Sequence, residues 1–144
     1  MIVKEIIAVL KKTNIFSDLG ESQLSTLAFS GNKITFSTGD LIVKTGEKEP
    51  RCIIITKGKA FIQKKSGPIE LKPGSVIGLL SLINKTTPKD AIIAGGKGSA
   101  LIISEELFSN MVNEFPEFAI VIRNKLSKEF TSKVELLENI IDLV

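Results

Sequence analysis

The spacing of apolar residues changes twice along the chain and divides it into three parts. At the start, Val3, Ile6, Ile7 and Leu10 fall three and four apart, the stripe of one helix. Lys11 and Lys12 close that stripe, where positive charge complements the helix dipole. Asn14 to Gly20 reads as a connection with two apolar anchors, Ile15 and Phe16. Glu21 to Ala28 reads as a short second helix with Leu24, Leu27 and Ala28 turned inward.

From Asn32 the period drops to two. Ile34 and Phe36 alternate with Lys33, Thr35 and Ser37, as in a half-buried strand. Turn signals then arrive at short intervals: Thr38-Gly39-Asp40, Thr45-Gly46-Glu47, Lys57-Gly58-Lys59, Ser66-Gly67-Pro68, Lys72-Pro73-Gly74 and Gly95 to Gly98. Between them lie Leu41–Val43, Cys52–Thr56, Ala60–Gln63, Ile69–Leu71, Ser75–Ile77, Ala91–Ala94 and Ala100–Ile103. Many short strands at even spacing predict a β sandwich, barrel or roll.

Past Ile103 the helical spacing returns. Ser104 is placed to cap a helix with Glu105 and Glu106 in its first turn and Leu107, Phe108, Met111 and Val112 on its buried side. Phe115-Pro116 marks a break, since proline suits the first turn of a new helix. From Glu117 to Val144 neither proline nor glycine intervenes. Ile120, Leu126, Phe130, Val134, Leu137 and Ile141 recur there at spacings of three, four or their multiples. The whole reads as one domain over residues 1–144, with helices at 2–28, strands at 32–103 and helices at 104–144.

Composition narrows the chemistry. Histidine is absent, which removes the commonest general base and the commonest metal ligand. Ser–His and Cys–His nucleophile pairs cannot form within the chain, and no Cys/His spacing for zinc exists. The single cysteine, Cys52, precedes three isoleucines and reads as a small buried hydrophobe. The net charge of +3 comes from lysines interleaved with acids, a solvated surface rather than a nucleic-acid footprint. Tyr and Trp are missing, which weakens base stacking further. No apolar run is long enough to span a bilayer, and the charged N-terminus lacks a secretory core, so a cytoplasmic protein without metal or catalysis is expected.

The order of several segments carries a resemblance. Ile15 to Leu27 is similar to the helical entry of cyclic-nucleotide-binding domains. Gly39 to Ile42 followed by Gly46-Glu47 resembles that family's first hairpin, and Ile53 to Ala60 its central strands around a glycine turn. Leu71 to Gly74, then Ile77 to Leu82, then Pro88 to Ala91 resemble its phosphate-binding cassette. The resemblance covers roughly residues 3 to 135, and it implies an α+β, mainly β fold. That fold is a double-stranded β-helix or jelly-roll β-roll, flanked by N-terminal helices and a long C-terminal helix. It also implies cAMP or cGMP as ligand and a nucleotide or phosphate site at Gly78, Leu79, Leu80, Lys89, Asp90 and Ala91.

Three cassette positions depart from the family's pattern. Leu79 stands where an acidic residue accepts the ribose 2′-hydroxyl, and it cannot accept that bond. Lys89 stands at the arginine position, keeping the charge and losing the planar fork. Asp90 stands where serine or alanine is preferred. A carboxylate about 5 Å from a phosphate costs roughly 3 kcal/mol at an effective dielectric near 20, and Asp90 is free to pair with Lys89 instead. The readings open at this point are a regulatory domain that senses a cyclic nucleotide or another small anion and a dimerisation module that has lost nucleotide binding. The dimer would form through Leu126, Phe130, Val134, Leu137 and Ile141 of the last helix. The bacterial relatives add a helix-turn-helix domain after that helix, and nothing of that kind lies within these residues, so no direct nucleic-acid contact by this chain is expected. A cupin-type enzyme would need a histidine-rich metal site.

Overall fold

A computed structural model of the chain describes residues 2–44 and 46–142, with side-chain surroundings as far as Glu129. Two helices, α1 (Val3–Lys12) and α2 (Glu21–Ser30), lead into the strands. These are β1 (Asn32–Phe36), β2 (Leu41–Val43), β3 (Arg51–Lys57), β4 (Ala60–Lys64), β5 (Gly67–Leu71) and β6 (Val76–Ile77). A short helix α3 (Leu79–Asn84) comes next, then β7 (Ile92–Ala94), β8 (Gly98–Ser104), α4 (Glu105–Glu114) and α5 (Pro116–Asp142).

The strands form two antiparallel sheets, ordered β1-β8-β3-β6 and β2-β7-β4-β5. Apart from the β4–β5 hairpin, sequence neighbours alternate between the sheets, which wraps them into a roll. β3 and β8 show how the pleat builds two cores from one apolar run. Ile53 and Ile55 of β3, with Ala100 and Ile102 of β8, face the inside of the roll among Val43, Ile62 and Ile92. Their neighbours Cys52, Ile54, Leu101 and Ile103 face the helices, against Ile6, Leu10, Phe16, Leu24, Leu27 and Phe118. Both strands are therefore buried on both faces, which is why their sequence reads as continuous rather than alternating.

Most strand ends differ from the sequence reading by a residue or two, as where β8 starts at Gly98 rather than Ala100, and two further differences stand out. α2 runs on to Ser30. Ser66-Gly67-Pro68 is not a turn; the chain reverses at Lys65-Ser66, and Gly67 already pairs with Lys64. Pro68 is tolerated because β5 is the edge strand of its sheet, where a missing N–H leaves no partner orphaned. Among the described residues, no helix is long and apolar enough to cross a membrane.

Candidate functional site

The strands enclose a hollow of about 360 Å³ inside one end of the roll. Its inner wall is apolar and comes from five strands: Val43, Ile53, Ile62, Ile77 and Ile92. Its rim is built by the stretch of chain between β6 and β7. At Gly78 the backbone takes φ +89°, and a Cβ there would stand 2.3 Å from the carbonyl oxygen of Arg51. Only glycine allows that close passage. The turn throws the chain off the sheet edge into α3 and sets Gly78, Leu79 and Leu80 beside the start of β3. Helix α3 ends on Lys85, and the loop of Thr86 to Asp90 then returns along the rim to β7.

Of the six residues expected at the site, five line the hollow: Gly78, Leu79, Leu80, Lys89 and Asp90. Ala91 does not; its carbonyl accepts from Gln63 N at 2.9 Å and ties β7 to β4. Leu79 is buried in the helix-side core, while Leu80 is 59% exposed. The close packing of Gly78 against Arg51 gives this glycine a structural reason that does not depend on any ligand. Asp90 does not pair with Lys89. Its Oδ2 accepts from Lys64 Nζ at 2.7 Å, because β4 and β7 run side by side and bring the end of one to the start of the other. Lys89 is exposed and has no ion-pair partner among the described residues.

The sequence reading missed two cations. Lys64 is one. Arg51 is the other: it lines the hollow, its Nη2 pairs with Glu47 Oε2, and its Nε is buried without a hydrogen-bond partner. A signal for it was present. Period two along β3 puts Arg51 on the same face as Ile53 and Ile55, the inward face. Glu47 is held in turn, since its Oε1 accepts from Lys44 N at 3.2 Å.

The last helix closes one side. Leu126 and Glu129 of α5 line the hollow together with Ile15. Asn14 Nδ2 donates to Glu129 Oε1 at 2.7 Å, and Lys125 Nζ meets Asp18 Oδ2 at 2.9 Å. Both contacts fasten α5 to the connection between α1 and α2. Leu126 of the expected dimer face is thus half-buried against the hollow. The side chains of Phe130, Val134, Leu137 and Ile141 lie outside the described residues. Among the described residues, no group of three or more Cys, Asp or Glu is placed to hold a metal.

The sequence model described as the cyclic nucleotide-binding domain matches residues 33–115, more than half of the chain, and that span holds every strand but the first residue of β1. The chain belongs to the cyclic nucleotide-binding domain family. A cyclic nucleotide-gated channel of Caenorhabditis elegans is 26% identical over 138 residues, 90% of this chain and 19% of the channel. A cGMP-dependent protein kinase of Plasmodium berghei (strain Anka) is 30% identical over 102 residues, 70% of this chain and 12% of the kinase. The chain therefore spans under a fifth of the length of these relatives. Among solved structures, the N-terminal domain of a transcriptional regulator from Streptomyces coelicolor A3(2) superposes with a TM-score of 0.79 at 21% identity, covering 90% of this chain and 94% of that one. The regulatory domain of Toxoplasma gondii PKA, solved with cAMP, gives 0.68 at 22%, covering 88% of this chain and 50% of that one. These likenesses establish the fold: α+β, mainly antiparallel β, a roll between N-terminal helices and a C-terminal helix.

Proposed function

We propose that this cyclic nucleotide-binding domain is a regulatory sensor whose hollow takes a small anionic ligand. The observation that carries the reading is the rim. Lys89 lies on it without a counter-ion among the described residues, and Arg51 lies on it against the Gly78 turn. Family membership supports a cyclic nucleotide as a ligand of this site, and the pocket size falls in the range of small-molecule sites. The domain does no chemistry in this reading. Ligand contact with Leu126 and Glu129 instead biases where α5 rests.

Titration calorimetry and thermal unfolding with cAMP, cGMP, inorganic phosphate and a set of monocarboxylic acids test it. A ligand at a hundredfold excess over its Kd stabilises the fold by about 2.7 kcal/mol, and Lys89→Ala weakens that ligand severalfold. No saturable response to any of these anions at millimolar concentration overturns the reading.

A second reading, a homodimer through α5, is favoured by one observation. A surface groove at the root of α5 is lined by Leu80, Ile83, Phe108, Val112, Ile122 and Leu126, and Ile120 is 51% exposed nearby on the same helix. An apolar surface of this kind suits a partner helix.

A further inference from the structure

The wall and the rim of the hollow differ in chemistry, and the difference specifies a ligand. Val43, Ile53, Ile62 and Ile92 come from four strands and offer no hydrogen bond from their side chains. A sugar hydroxyl pressed against them would lose its water partners without replacement, a loss of about 1–3 kcal/mol for each hydroxyl. The hydroxyls of Ser81, Thr86 and Thr87 all sit on the rim. Both carboxylates on the rim are already engaged, Asp90 by Lys64 and Glu129 by Asn14. The polar demand that stays open is cationic. Arg51 stands at the inner end of the rim, two residues before the wall residue Ile53 on the same strand, and its Nε–H is buried without an acceptor. Its counter-ion Glu47 does not line the hollow, and the Arg51 side chain stays partly exposed, so an anion in the hollow competes with Glu47 for it.

We propose that the hollow takes a small organic acid with an apolar aryl or alkyl body, its carboxylate seated on Arg51 and its body against Val43, Ile53, Ile62 and Ile92. This rests on the hollow being the ligand site and names the class of ligand. A carboxylate matches the planar fork of a guanidinium. An alkyl or aryl body gives the isoleucine wall what it can use, the release of water from apolar surface. Glu47 tunes the site by competing for Arg51.

Calorimetric titration of the full chain with phenylacetate, 3-phenylpropionate and octanoate, each beside its neutral amide, tests the assignment. At least one acid is expected to bind about tenfold or more tightly than its amide. Arg51→Gln is expected to erase that preference, and Glu47→Gln to strengthen the same acid severalfold by freeing Arg51. The two variants move affinity in opposite directions, so a general loss of folding cannot imitate the result. Equal binding of acid and amide, or an unchanged preference in Arg51→Gln, overturns the inference. Saturable binding of cAMP, cGMP or phosphate with none by the acids overturns it too and leaves the sensor reading standing. No binding by any of them overturns both.

Discussion

Cys52 sits between Arg51, which lines the hollow, and Ile53, which walls it, yet its own thiol lies in the other core among Leu10, Leu24 and Phe118. Complete burial pushes that thiol from an ordinary 9.0 up to about 12. Between these values the unfolded chain has released the proton and the folded chain still holds it. The contribution is therefore intact below pH 9 and is lost as pH rises toward 12, by at most about 1.4 kcal/mol per pH unit. Urea unfolding at about pH 8 and again at about pH 10.5 should show the wild type losing more stability than Cys52→Ala over that interval. Equal losses would mean that the thiol ionises as readily folded as unfolded. The burial of Cys52 was legible from its apolar neighbours. The role of Arg51 was only half so: period two turns it inward, but the passage of the Gly78 turn across the start of β3 leaves no local mark in the sequence. Likewise Asp90 finds Lys64 across a strand pair, and sequence separation hides a partner 26 residues away.

Elements were legible wherever local chemistry decides them. Ser104 ends β8 and caps α4, its Oγ accepting from Leu107 N at 3.1 Å, as the Ser-Glu-Glu run predicts. Ser104→Ala should cost about 1 kcal/mol, read as a lower urea midpoint with an unchanged slope. A changed slope would indicate that the strand-to-helix joint had come apart rather than lost a cap. Pro116 opens α5 as its position implies. The error at Gly67-Pro68 has a physical source. A glycine-proline pair normally breaks structure, but an edge strand accepts both, and a strand becomes an edge only once the sheet order is known. The closure of the hollow by Leu126 and Glu129 belongs to the same class, since it depends on how α5 lies against residues more than a hundred positions earlier.

The whole chain is a roll with helices on one side and one long helix that begins against its open end. Phe108 and Phe118 meet edge to face at 5.5 Å and fix the angle between α4 and the first turns of α5. The contacts of Lys125 and Glu129 then hold α5 to the Asn14–Gly20 connection. For the dimer reading, sedimentation velocity should show a concentration-dependent dimer that reverts to monomer when Val134→Glu and Leu137→Glu are combined. A monomer at high concentration in the unaltered chain would remove that reading and leave the ligand site untouched. The fold class followed from period and turn spacing together with the family resemblance. The cassette side of the hollow followed from the resemblance as well, since five of the six residues it named line that hollow; the apolar wall did not, because it is a property of five strands at once.

β3 is a partition one residue thick. Ile53 presses on the hollow and Ile54, its covalent neighbour, presses on the layer of Ile6, Leu10 and Phe118. Close-packed interiors scarcely compress. In the sensor reading, a guest that nudges Ile53 displaces Ile54 in the same motion, as a diaphragm passes a push from one chamber to the next, and α1 and α2, which do not line the hollow, register its occupancy without touching what fills it.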